Sequence, residues 1–204
     1  MSVNLVKGQK ISLTKETGLR KVMVGLGWDE AQQKKGGFFK ALFSVKPQPI
    51  DCDASCILLG ADGKVLSNNL NETVVYFNNL RHSSGAIVHQ GDNLTGEGEG
   101  DDEQILVDLS KVPENVDKLV FVVNIYDANQ RGQHFGMIEN AFIRLVDVNK
   151  NTEICRYSLT DDYSGMTGMI AGEIYRQDGE WKFNAIGQGI RQASRLGNIV
   201  NLYK

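Results

Sequence analysis

Apolar positions along this chain alternate with polar ones, or gather in short runs, and few stretches carry the 3.6-residue period of an amphipathic helix. Val3, Leu5, Ile11 and Leu13 mark a first alternating stretch over residues 3–13. Residues 21–27, KVMVGLG, are mostly β-branched or long apolar side chains. Residues 53–60 end in an apolar run, and Ala61-Asp62-Gly63-Lys64 then signals a tight turn into Val65 and Leu66. Further strands are predicted at residues 73–77, 105–109, 118–126, 141–146, 153–159, 169–176 and 180–187. Gln177-Asp178-Gly179 supplies a hairpin turn between the last two. About ten short strands at this spacing predict a mainly β fold, a two-sheet β-sandwich. Short peripheral helices are predicted at residues 133–140, 161–167 and 191–202. Two stretches leave the sandwich, residues 30–49 and 91–103. With no linker and no internal repeat, residues 1–204 are expected to form a single domain.

Composition changes this picture little. Hydrophobic residues make up 41% and charged residues 23%, as in ordinary globular chains. A formal net charge of −3 provides no basic field for nucleic acid. No apolar run approaches the ~20 residues that span a bilayer. The N-terminal Met1-Ser2-Val3-Asn4 lacks the pattern of a signal peptide, which predicts a cytoplasmic protein. Cys52 and Cys56, on one predicted strand, would stand ~13 Å apart, too far for a disulfide or a shared zinc ion. The three cysteines are therefore expected to be small buried or half-buried thiols.

The chemistry concentrates in one loop. Residues 91–103, GDNLTGEGEGDDE, hold six carboxylates, four glycines and no basic residue in 13 positions, against 25 acidic residues in the whole chain of 204. Two carboxylates ~7 Å apart repel by ~0.6 kcal/mol even in water. Six in one compact loop favour an open conformation unless a cation neutralises them. Carboxylates, an Asn amide, a Thr hydroxyl and carbonyls exposed by flexible glycines form the all-oxygen set that calcium prefers. The loop lacks the Cys and His that softer metals use. The Lys and Ser/Thr of a phosphate-binding loop are missing, and so is the EF-hand spacing. An acidic loop simply solvated by water is the competing reading on composition alone. Asp29, Asp51, Asp53, Asn78, Asn79 and Asp127 lie at predicted strand ends, where loops of a sandwich meet and can bring more oxygen donors together.

Several motifs then occur in order: Gly25-Leu26-Gly27-Trp28-Asp29, Asp51-Cys52-Asp53-Ala54-Ser55, Tyr76-Phe77-Asn78-Asn79-Leu80, the acidic loop, Ile125-Tyr126-Asp127-Ala128, and Gly172-Glu173-Ile174-Tyr175-Arg176 running on to Gly187-Gln188-Gly189. Over nearly the whole chain this resembles the TerD family of bacterial tellurium-resistance and general-stress proteins. The resemblance implies a calcium-binding β-sandwich without established enzymatic activity. By motif position it assigns metal ligation to Asp92, Asn93, Asp101, Asp102 and Glu103, with Asp29, Asp53 and Asn78 as further contributors. It implies more than one calcium ion (Ca2+) and protein partners of the stress and tellurite-resistance system. Cys52 stands where an apolar residue is commoner in the family. The stretch after Asp29 is longer than in compact members.

The expected function is thus a non-catalytic, calcium-binding stress-response protein whose ion orders acidic loops at one end of a sandwich. The chief alternative is a calcium-dependent module that bridges to a membrane or a protein as a scaffold. Lys34, Lys35 and Lys40 with Phe38, Phe39 and Phe43 would provide its peripheral membrane contact. A calcium-assisted hydrolase ranks third. His82, His89 and His134 are the only histidines, and neighbouring carboxylates are expected to favour the protonated form of His89. No nucleophile elbow or HExxH motif is present.

Overall fold

The computed structural model describes residues 2–15, 18–31, 48–91 and 100–204. Its twelve strands form two six-stranded sheets. In the first, β1 (Val3–Leu5), β10 (Thr152–Ser158), β9 (Ile138–Asp147), β3 (Lys21–Glu30), β7 (Glu103–Asp108) and β6 (Ile87–His89) lie in that order. In the second the order is β2 (Lys10–Ser12), β12 (Glu180–Ile190), β11 (Gly168–Gln177), β8 (Lys118–Ile125), β4 (Cys52–Leu59) and β5 (Val74–Val75). All neighbours are antiparallel except β1 and β10. The expected two-sheet sandwich is therefore what the chain forms.

Two hydrophobic clusters explain why the central strands read as unbroken apolar runs. Cys52, Ala54, Cys56 and Leu58 of β4 face the other sheet, beside Val24, Leu26 and Phe121. Ile57 and Leu59 point outward into a second cluster with Val120, Val122, Ile199 and Val200. A strand covered on both faces has no need to alternate. Burial of an aliphatic side chain contributes roughly 1.5–3 kcal/mol, so these double-sided strands anchor the fold.

Several predicted boundaries move, for local reasons. The stretch over residues 3–13 is two strands in different sheets. Gly8, at φ 79°, turns the chain between them, and its N–H donates to the Ala185 carbonyl at 2.6 Å. Of residues 73–77 only Val74–Val75 pairs as a strand. Helix α1 (Leu70–Thr73) precedes it, capped by the Asn69 side chain, which accepts from the Asn71 N–H. The three-residue β6 is too short to carry a pattern and was not anticipated. Residues 133–140 are not a helix: α2 (Ala128–Arg131) ends at Gly132 with φ 63°, Phe135–Met137 make one 3₁₀ turn, and Ile138 already pairs with Glu30. Residues 161–167 form turns in which the Asp162 carboxylate accepts from the Ser164 N–H and Gly165 takes φ 73°. At the C-terminus the helix shortens to α3 (Leu196–Val200), followed by a 3₁₀ turn over Asn201–Tyr203, because β12 runs on to Ile190. The hairpin at Asp178 and Gly179 is as expected, both with positive φ. No helix among the described residues is long and apolar enough to cross a membrane. The basic, aromatic cluster of Lys34 to Phe43 lies outside the described residues.

Candidate cation site at the acidic end

Both excursions leave from the same end of the sandwich. There β3 finishes at Glu30, β7 begins at Glu103, β4 begins at Cys52 and β8 finishes at Ile125. In register, Leu26 pairs with Glu103 and Cys52 with Ile125. Asp53, Asp51, Asp102 and Glu103 all act on one buried thiol: burial first, then these four charges, push the Cys52 pKa well above its ordinary value. Residues predicted separately as Asp53, Asp102 and Glu103 are thus brought to one end, from two sheets.

Each carboxylate of the described part of the loop has its own environment. The Asp101 side chain is fully buried, and its two oxygens accept from Arg144 Nε at 2.7 Å and Nη2 at 3.0 Å. Gln104 Nε2 adds a 3.3 Å hydrogen bond, and Arg144 also reaches Glu153 at 3.2 Å. The Asp101 hydrogen bond, followed by its charge, holds the Arg144 pKa up against the opposing effect of burial. Asp101 lies against the outer face of the first sheet, where Gly25 makes room, since a Cβ at Gly25 would occupy the position of the carboxyl group. Gly100 and Asp101 pass close over β3, and the Asp101 carboxyl packs on it.

Asp102 differs. Its N–H donates to the Leu26 carbonyl at 2.8 Å, and its Oδ2 accepts from the Trp28 N–H at 2.7 Å. Burial raises its pKa, the Trp28 N–H opposes that, and the charges of Asp29 and Asp101 raise it further. Asp29 is exposed, and its Oδ2 accepts from Asn140 Nδ2 at 2.8 Å. Glu103 is 1% exposed and turns inward, where its Oε2 meets His89 Nε2 at 2.7 Å. The same His89 nitrogen is 3.2 Å from the Ala54 carbonyl of the second sheet, and Nδ1 accepts from the Gly91 N–H at 3.1 Å. Nδ1 thus faces the Gly91 N–H and Nε2 faces Glu103. His89 thereby joins the loop to both sheets, a role that its position before an acidic run did not reveal.

Asp53 and Asn78 lie by a different surface. Asp53, buried on the outward face of β4, accepts from Asn124 Nδ2 at 3.3 Å. Asn78 is exposed on the turn after Tyr76 and Phe77. Asp92 and Asn93 lie outside the described residues. Among the described residues no three His, Cys, Asp or Glu side chains converge as a ready metal cluster. The donor chemistry nevertheless fits an oxygen-seeking cation at Asp102 and Asp29, two carboxylates that crowd one another beside the loop. Asp101 is already matched by Arg144 and serves better to hold the loop in place.

A two-sheet β-sandwich with a carboxylate-rich end is the class this geometry defines. The chain belongs to the TerD family: the TerD domain model matches residues 1–203. Similar chains include "Stress response protein SCP2" of Bacillus subtilis (strain 168), 52% identical over 204 residues and covering all of both chains. "Tellurium resistance protein TerD" of Serratia marcescens is 47% identical over 190 residues, 93% of this chain and 91% of that protein. Among solved structures, a telluride resistance protein (TerD) homologue from Streptomyces coelicolor A3(2) superposes with a TM-score of 0.60 at 21% identity, covering 85% of this chain and 91% of that one. That likeness supports the fold alone.

Proposed function

We propose that this chain is a non-catalytic calcium-binding protein of the bacterial stress response, related in role to the tellurium-resistance and stress proteins it resembles. One observation carries the calcium reading. Asp102 is a partly buried carboxylate that accepts from the Trp28 N–H, and Asp29 and Asp101 both press negative charge on it. A divalent ion beside Asp102 and Asp29 relieves that repulsion, with Asp92 and Asn93 completing the oxygen set. Glu103 and Asp101 act through their buried partners, holding the loop against both sheets. Asp53 and Asn78 remain peripheral donors, available to a second ion. Calcium suits such a site better than magnesium, which demands a tight octahedron and gives up water reluctantly.

The histidines support a non-catalytic role. His89 is committed to Glu103 and Gly91, His82 is buried against Ser84 and the Glu72 carbonyl, and His134 accepts from the Gly136 N–H. The ion would then order the loop and present it to a protein partner in the cytoplasm, with contact to a membrane surface as the alternative. Calorimetric titration of chelator-stripped protein tests the reading. Calcium should bind with measurable heat and magnesium much more weakly. Absence of calcium binding at millimolar concentration would refute it.

A further inference from the structure

A cavity of about 230 Å³ opens on the outer face of the second sheet, away from the Asp101–Arg144 pair. Its floor is Asp53, Ser55 and Asn124, and Tyr76, Phe77 and Tyr126 stand among its walls. Asn124 is 3% exposed. Its Nδ2 donates to Asp53, which orients the amide, yet its Oδ1 has no hydrogen-bond partner. Ser55 is 1% exposed, and its Oγ is likewise without one. A buried amide oxygen left unpaired carries the cost of its desolvation, and two unpaired groups at one cavity floor mark a place where a ligand supplies the hydrogen bonds.

We infer that this cavity binds a small organic ammonium ion, whose N–H groups meet the Asn124 Oδ1, the Ser55 Oγ and the Asp53 carboxylate while its carbon body lies among the aromatic side chains. Three features select that chemistry. The unpaired amide oxygen needs a donor, and a nearby carboxylate favours a charged one. Aromatic faces attract cations, and here they surround an acidic floor: the Tyr76 and Phe77 rings meet edge-on at 5.5 Å, and Tyr126 already carries the Arg131 guanidinium 5.2 Å over its ring. The volume, near that of seven or eight waters at ~30 Å³ each, exceeds an inorganic ion and suits a body of about nine non-hydrogen atoms. Phe77 and Tyr126 are 38% and 43% exposed, so the mouth opens to solvent. Asp53, Asp127 and Arg195 are the charged lining residues, and the single rim cation disfavours a second positive charge on the ligand.

The inference does not rest on calcium at the acidic loop, although Asp53 is a peripheral donor in that reading. Ligand-observed NMR and calorimetry with phenethylamine and its acidic counterpart 3-phenylpropionate test it, in calcium-free full-length protein. Phenethylamine should bind in the millimolar range or tighter, and 3-phenylpropionate at least about tenfold more weakly. Tyr126→Ala and Phe77→Ala, both at the exposed rim, should each weaken the amine about fivefold with unchanged melting temperature. Asp102→Asn should leave amine affinity unaltered, which separates this site from the calcium site. Equal binding of amine and acid, no binding at about 10 mM, or indifference to both rim variants would each overturn the proposal.

Discussion

Replacing Asp102 by asparagine separates the cost of a crowded carboxylate from the benefit of an ion that neutralises it. Asparagine keeps an oxygen to accept the Trp28 N–H and removes the charge that burial, Asp29 and Asp101 all disfavour. The folded-state pKa of Asp102 is raised above the ordinary 3.8. Above that raised value the charged group costs stability in full, and below the ordinary value it is neutral in both states and costs nothing. In metal-free protein, Asp102→Asn should therefore be at least as stable as the parent at pH 7, with the advantage fading as pH falls through the raised pKa. Calcium should reverse the order. At a concentration 100-fold above the dissociation constant, linkage adds about 2.7 kcal/mol to the parent. At roughly 2–4 °C per kcal/mol for a domain of this size, that raises the midpoint by about 5–11 °C. Loss of one charged ligand should weaken binding at least about tenfold, removing about 1.4 kcal/mol, half of that gain. Thermal melts at pH 7 and pH 4.5, with chelator and with calcium, measure all four corners. A metal-free variant less stable than the parent, or an undiminished calcium shift, would refute the reasoning.

Further outcomes follow from the same geometry. Arg144→Met leaves the fully buried Asp101 without its bidentate partner and should cost about 3 kcal/mol in urea unfolding; a loss under about 1 kcal/mol would show that Asp101 relaxes to solvent. Gly25→Ala places a methyl group where the Asp101 carboxyl lies, so stability and calcium affinity should fall together, whereas Gly63→Ala, with open space but φ 76°, should affect stability alone. Burial raises the pKa of all three cysteine thiols, that of Cys155 to about 12, so none should react with an aromatic disulfide reagent at pH 8 until the protein is unfolded.

The fold was legible where pattern and burial coincide. The strands from residue 118 and from residue 169 stand within a residue or two of their predicted positions, because their apolar runs serve two packed faces. It was illegible where one residue redirects the chain. Gly8 sends two halves of one alternating stretch into different sheets, and a periodicity of two cannot report which sheet a strand joins. Sequence also singled out the carboxylates gathered at this end but not what they meet. Arg144 and Asp101 are 43 residues apart, and Gln104 gives no hint that its neighbour Glu103 faces inward to a histidine. The Gly25-Leu26-Gly27 motif did carry a signal. A Cβ at Gly27 would collide with Phe142 and approach the Gly100 carbonyl, so both glycines mark where the acidic loop lies on β3.

The pairing of His89 with Glu103 bears on how an ion at the loop would be felt elsewhere. The ring accepts from Gly91 at the loop's first residue, meets Glu103 at its last, and faces the Ala54 carbonyl between Asp53 and Ser55 of the other sheet. Both ends of residues 91–103 are therefore tied to one buried side chain, and through it to β4. Ordering of the loop by calcium should accordingly slow amide exchange along β6, β7 and the start of β4 more than along β1, β2 or the Asp178 hairpin. His89→Phe fills similar space without ring nitrogens and leaves Glu103 facing an apolar ring, so it should cut that contrast even where calcium still binds. Hydrogen exchange followed by mass spectrometry reads the difference directly. Uniform protection across all strands in the parent, or a contrast untouched in His89→Phe, would show that the loop is ordered without this linkage.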